Sequence, residues 1–368
     1  GLALITDENA FAYAGADYEK VLIPAFLALA DLMHNGGDAT AYCLQLDRQQ
    51  RLIVEAGGAN VDENPKLAYQ RVAFGAYLRG VLHEASHSNY DDATRSYALA
   101  ASWAPNFQAA KHELARAKSG VHSQRGNGVV HVFTLVGRGP LRSTTVVEAS
   151  TNALVLAEAL LYLNGNRVLP PIVAPIEVSE IILPQNVVDS VIVTVDGHVV
   201  GQTQTVTDVG RMAVSQHEAV FDQVVARAVA RRAFKLAATL AAKEALDLDE
   251  DDTLASLGFD LLGLAWESSE KADIRSWGLL PGMIQVQRIE LQAGEHQLTL
   301  SAAKHGHVVG PDYSRYVTVV DGRDTYVLAC FPDNHLVGQI LTSDQMQFSR
   351  PPHAKALVPD YSPRLVGR

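Results

Sequence analysis

Through the first 120 residues the apolar positions recur at helical spacing, and beyond residue 120 they switch to alternation. In residues 18–32, Val21, Leu22, Ala25, Leu29 and Leu32 share one helical face. Gly36-Gly37-Asp38 interrupts that face, and a second helix is expected over 39–52. Residues 68–87 read as a third helix, Asn89-Tyr90-Asp91 as a turn, and 92–103 as a fourth helix stopped by Ala104-Pro105. A capping helix is expected over 106–117. The run Val-Val-His-Val-Phe-Thr-Leu-Val at 129–136 reads as a strand. Gly137-Arg138-Gly139-Pro140 reads as a turn, and 141–147 as the strand returning beside it.

Further along, a short helix is expected over 152–163, and Pro170, Pro171, Pro175 and Pro184 punctuate an extended stretch. Asp196-Gly197 joins 191–195 to 198–203 as a hairpin, because Asp-Gly supplies the positive φ that a tight turn needs. A long amphipathic helix is expected over about 208–246, ended by the acidic run 247–252, with a further short helix before Ala272. Strands are expected at 284–291, 296–301, 316–320 and 325–331, turning at 293–295 and at Asp321-Gly322. The fold class that follows is α+β. Its parts are a tetratricopeptide-like helical array at 1–120, strands plus the long helix at 121–272, and an antiparallel β-sandwich-like unit at 273–347. A proline-rich extended tail occupies 348–368.

Composition narrows the role. Apolar residues make up 48% and charged residues 19%, as in a folded chain. A formal charge of -11 leaves no broad basic surface for nucleic acid. No apolar run approaches the roughly 20 residues of a membrane-spanning helix. Cys43 and Cys330 lie in opposite halves of the chain, without metal-type spacing, and read as two buried thiols.

Tyr90, Ala93, Tyr97, Ala100 and Pro105 stand at the spacing of the second helix of a tetratricopeptide repeat, which this segment resembles. Gly80, Val81 and Glu84 depart from the first half of that motif. Several stretches in the same order together resemble an uncharacterised family of bacterial envelope lipoproteins with such repeats. They are Tyr13-Ala14-Gly15-Ala16-Asp17-Tyr18-Glu19-Lys20, the repeat at 90–105, the Gly139-Pro140 turn, and Ala226-Arg227-Ala228-Val229-Ala230-Arg231 with Lys235. Ala272-Asp273-Ile274-Arg275-Ser276-Trp277 with Leu280-Pro281, and Gln292-Ala293-Gly294-Glu295-His296, complete the set. The resemblance implies an exported protein of the periplasm or the periplasmic face of the outer membrane, reaching a membrane only through a lipid anchor or a partner. It implies no enzymatic activity and no cofactor. The expected partners are other envelope proteins in a multi-subunit assembly, with a homo-oligomer as one form of it.

One catalytic motif competes with that reading. His83-Glu84-Ala85-Ser86-His87 matches H-E-x-x-H, which on a helix sets two imidazoles one turn apart for Zn²⁺ with the glutamate as general base. Glu113 is then the candidate third ligand, and the chain a zinc-dependent hydrolase. Arg227, Arg231, Arg232 and Lys235 offer charge for phosphate or lipid head groups, and a small-ligand or lipid-binding module with its pocket in a β-domain is a second alternative. The structural reading of the same cluster pairs Arg227 or Arg231 with Asp273. Tyr90 and Tyr97, and Phe348, Tyr361 and Leu365 on the tail, are the expected interaction residues.

Overall fold

A computed structural model describes residues 12–34, 36–58, 64–163, 176–245 and 272–344. Within them the chain is α+β. Five helices come first: α1 (Asp17–His34), α2 (Ala39–Glu55), α3 (Ala73–Glu84), α4 (Tyr90–Trp103) and α5 (Gln108–Lys118). They pack in sequence, α1 on α2, α3 on α4 and α4 on α5. α3 is shorter than the 68–87 that helical spacing predicts. Pro65–Ala68 forms a separate 3-10 turn capped by Asn64. The amide of Val72 donates to Gln50 Oε1 at 2.6 Å, so the backbone before Ala73 is committed elsewhere. Gly80 lies beneath the fully buried Tyr97: a Cβ there would stand 2.6 Å from that ring. A larger residue at position 80 would hold α3 and α4 apart.

The remaining elements are β1 (Asn127–Arg138), β2 (Leu141–Val147), α6 (Thr151–Leu163), β3 (Ile176–Ile182), β4 (Ser190–Val195), β5 (His198–Gln202), β6 (Gln204–Asp208) and α7 (Val209–Ala245). After them come β7 (Pro281–Gln292), β8 (Gly294–Lys304), β9 (His307–Val319), β10 (Asp324–Phe331) and β11 (Val337–Thr342). One sheet has the order β11-β10-β1-β7-β6, a second β5-β4-β8-β9, and β2 and β3 form a pair of their own.

Three turn signals join different partners from those the sequence predicts. β1 does not pair with β2; it is central, antiparallel to β7 and parallel to β10. Asn186 grips the bend after β1, accepting from the Arg138 amide at 2.7 Å and donating to its carbonyl at 3.1 Å, and β2 leaves to pair with β3. The turns at 293–294 and 321–322 are corners rather than hairpins. At each the chain crosses between the two large sheets, with Gly294 at φ 153° and Gly322 at φ 69°. Asp196-Gly197 does close the β4–β5 hairpin, with φ 49° and 81°.

The layers follow from alternation along β1. Its Phe133, with Ile284 and Val286 of β7, packs under the helices in a core that includes Leu22, Phe74, Tyr77 and Phe107. Val130, Val132 and Val136 point the other way, into a core shared with Val191, Val193, Leu298, Leu300 and Val317 of the four-stranded sheet. The order is therefore helices, five-stranded sheet, four-stranded sheet, and β1 is apolar on both faces because both are covered. The expected boundary at 272/273 is crossed by continuous ladders, and that at 120/121 by the core shared between the helices and β1 and β7. The strands of 273–347 are completed by β1, β4, β5 and β6 from the middle segment.

α7 begins behind Asp208, whose Oδ1 accepts from the Arg211 amide at 2.8 Å. Its first turns enter the helical core through Val209, Met212 and Ala213. Farther on, Val225, Val229 and Ala233 pack with α6 and β3 in a third cluster. The helix changes neighbours along its length instead of laying one face on the sheets.

Candidate functional site

The H-E-x-x-H segment begins on α3 but does not stay on it. α3 ends at Glu84, and His87 lies beyond the end with φ 55°, a left-handed backbone. Its Nε2 donates to the Gly322 carbonyl at 2.6 Å. His83 keeps helical geometry, with Nδ1 3.5 Å from the Asn89 side-chain amide. The two imidazoles therefore do not stand one turn apart on a helix face, and the zinc arrangement of His83, His87 and Glu113 with Glu84 as base does not form. Among the described residues no group of three or more His, Cys, Asp or Glu is placed to hold a metal ion.

Both glutamates instead turn inward. Glu84 accepts from the Tyr97 hydroxyl at 2.8 Å and from Arg116 Nη2 at 2.9 Å. Arg116 also contacts Glu113, and Arg288 Nε on β7 lies 3.6 Å from the same carboxylate. Arg116 and Arg288 both donate to the His122 carbonyl, at 3.2 and 2.5 Å. The His122 ring turns to Asp324 at the start of β10, with Nε2 2.9 Å from Oδ1, and His131 Nε2 on β1 approaches the same oxygen at 3.3 Å. The His87 and His122 rings are 4.6 Å apart, centre to centre. A network of buried polar and ionisable groups thus runs from α3 and α4 through α5 to β1, β7 and β10.

Burial sets its electrostatics. Glu113 is pushed up to about 7 by burial, against the pull of Arg288. Arg116 is brought down to about 10, chiefly by burial and then by Arg288. Burial also lowers His131 below the usual imidazole range, although Asp324 opposes it. For Asp324 burial acts upward, but the hydrogen bonds and charge of His122 and His131 overcome it and hold the carboxyl well below its ordinary range.

A pH prediction follows for Asp324. Its folded pKa lies below the unfolded one, so between the two values the unfolded chain binds the extra proton and stability rises with pH. The stability difference between wild type and Asp324→Asn is therefore expected to be full at pH 7 and to shrink as pH falls below about 4. Urea unfolding of both proteins from pH 7 to pH 3 checks this, and a difference that grows toward acid would contradict it.

The other sequence candidates are placed as follows. Asp273 was expected to meet Arg227 or Arg231; its carboxylate is bound instead by Arg275, at 2.9 and 2.8 Å. Residues two apart close that pair locally, so it does not tie α7 to the strands. Arg231 is buried on α7, and Arg227 is exposed. Tyr97, expected as an interaction residue, is wholly interior, whereas Tyr90, expected in the same role, is half-buried at the start of α4. Phe348, Tyr361 and Leu365, with the whole proline-rich tail, lie outside the described residues, as do the acidic run and the short helix before Ala272. Cys43 and Cys330 are free thiols. Two segments that carry the family resemblance meet in space: Glu19 accepts from the Trp277 amide at 2.8 Å, and the Arg275 guanidinium lies over the Tyr13 ring.

Arg116, His122, Arg288 and Asp324 carry no motif and were not legible as one group. The available signal was His131, the one ionisable residue inside the run 129–136. The chain's comparison with protein-family models, with curated proteins and with solved structures found no match in any of the three.

Proposed function

We propose that this chain is a non-catalytic structural or adaptor protein of the bacterial cell envelope that holds other proteins through exposed strand edges. In this reading α1–α5 serve as a tetratricopeptide-like array and the two large sheets as a β-sandwich-like body. Glu84 and Glu113 of the zinc alternative support it by being held in buried ion pairs with Arg116 and Arg288. No helix among the described residues is long and apolar enough to cross a membrane; in this reading membrane contact comes through an anchor or a partner.

The observation that carries the reading is β5. It is an edge strand bonded only to β4, it contains no charged residue, and Val199 is 70% exposed. Edge strands are normally guarded by charge, proline or a bulge against pairing with another chain. β5 has no such charge or proline, although its pairing with β4 is bulged between Val193 and Thr194. This uncharged edge fits the addition of an extended segment from an envelope partner, with main-chain bonds giving affinity and Val199 giving contact. A photo-crosslinking residue at position 199 of the full chain, expressed in cells, is expected to give one defined adduct that Val200→Lys removes. The unfolding midpoint of Val200→Lys should match wild type. Absence of an adduct at 199, or an adduct indifferent to Val200→Lys, would defeat this reading.

A further inference from the structure

Away from the buried charges, a cleft of about 260 Å³ opens where the start of α1, the Pro65–Ala68 turn, β2, β3 and α7 come together. Three of its lining residues are cations, Lys66, Arg142 and Arg227. Its carboxylate is Asp17, which Lys66 contacts at 2.7 Å. The lining therefore carries a net charge of about +2, in a chain whose total is -11. Among the described residues neither Arg142 nor Arg227 makes a direct ion pair, and Arg142 acts only at longer range on the Asp273 carboxylate while facing the Tyr18 hydroxyl.

A second observation is independent of charge. Four polar atoms on lining residues are buried without a well-formed hydrogen bond: the Tyr18 hydroxyl, which faces Arg142 and Glu19, and Arg142 Nε, Gln216 Oε1 and His217 Nε2. Tyr18 is 3% exposed and Gln216 6%. Buried polar groups are nearly always satisfied, and a cluster of exceptions on one cleft calls for a ligand that supplies the missing partners. Two of these groups, the hydroxyl and the guanidinium N–H, can donate to an anion, and Gln216 Oε1 can accept from a hydroxyl.

We propose that this cleft binds a phosphate monoester, with Arg142 and Arg227 engaging the phosphate and Tyr18 donating to it. The charge decides between anions: a lining of about +2 matches a dianionic phosphate, whereas a carboxylate would leave half of it uncompensated. The volume is just under the ~300–1,000 Å³ of sites for drug-sized ligands, so the phosphate arrives on a small polar body such as a phosphorylated polyol or a lipid head group. Gln216 would accept from that body's hydroxyl. The site goes beyond the adaptor reading and shares no residue with β5.

The test is calorimetric titration of the full chain with inorganic phosphate and with glycerol 3-phosphate, beside co-sedimentation with phosphatidic acid and phosphatidylcholine vesicles. Saturable binding of glycerol 3-phosphate, tighter than that of acetate, is expected, and it should raise the melting temperature. Arg142→Gln and Arg227→Gln should each weaken it about tenfold or more, as for loss of a charge-assisted hydrogen bond. Should an arginine variant fold poorly, Tyr18→Phe removes one hydroxyl and is expected to weaken binding about tenfold as well. Sedimentation with phosphatidic acid but not phosphatidylcholine assigns the phosphate to a lipid; binding of glycerol 3-phosphate alone assigns it to a soluble metabolite. No binding of any phosphate probe, acetate bound as tightly as phosphate, or affinities unchanged in the variants would each overturn the proposal.

Discussion

Replacing Arg116 with methionine is expected to destabilise the protein by about 3–5 kcal/mol, because it strands two buried carboxylates. Glu84 and Glu113 are 2% and 5% exposed, and both are bonded to this guanidinium. Removing one partner of a buried pair costs far more than the pair contributes, since the remaining charge keeps its desolvation penalty without its compensation. The Tyr97 hydroxyl would still serve Glu84, and Arg288 would still face Glu113 at 3.6 Å, so the loss should stop short of unfolding. Urea unfolding with the slope held constant measures it. A change under about 1 kcal/mol would mean that water screens the network as it does a surface pair. A companion protein in which Arg116, Glu84 and Glu113 are all replaced by apolar residues should recover most of the loss, because no uncompensated carboxylate is left. Arg288 would retain Glu290, 4.0 Å away and more open to solvent. Recovery would separate the worth of the charges from the worth of packing at this junction.

Phe133→Ala should cost a similar amount, about 3–5 kcal/mol, for a different reason. Phe133 is fully buried on the helix-facing side of β1, with its ring edge-on to Phe74 of α3 at 5.9 Å. The substitution opens a cavity between layers that are each held by their own backbone bonds and cannot collapse into it freely. The same position tests whether helices and sheets form one cooperative unit. Far-ultraviolet ellipticity, which is dominated by the helices, and a probe on the four-stranded sheet should lose their signals at one denaturant concentration in wild type. Two separated transitions in wild type would mean that the layers unfold independently. Tyr316→Ala, on the exposed face of β9 and 58% accessible, serves as the control and should shift stability by no more than about 0.5 kcal/mol.

Local pattern was sufficient for the elements themselves. The 3.6-residue spacing of Leu22, Ala25 and Leu29 sets α1, and the Asp196-Gly197 dipeptide forces a tight turn because its backbone must take positive φ. The nearly continuous apolar, β-branched run at 129–136 defines β1, and a class of α+β follows from such elements without further information. Which strand lies beside which was settled only in three dimensions. Asp321-Gly322 looks in sequence like Asp196-Gly197, yet one makes a hairpin and the other a corner between sheets, because a turn reverses the chain without naming the edge it returns to. The β1 edges were free for β7 and β10, strands about 150 residues or more away, and no short-range signal reports that pairing.

The candidate sites divide in the same way. H-E-x-x-H could be read as a string, but its chemistry depends on where the helix stops, and α3 stops at the glutamate. Tertiary packing then gave Glu84 to Arg116 and Tyr97, and His87 to the Gly322 carbonyl. The cleft is the converse case: Tyr18, Lys66, Arg142, Gln216 and Arg227 span more than half of the chain and form no motif. The sequence alone determined which helices and strands exist, since those depend on the spacing of neighbours along the chain. The tertiary structure decided their partners, and with them which charges are sealed and which polar atoms are left to a ligand, because burial belongs to the assembled layers and not to any segment.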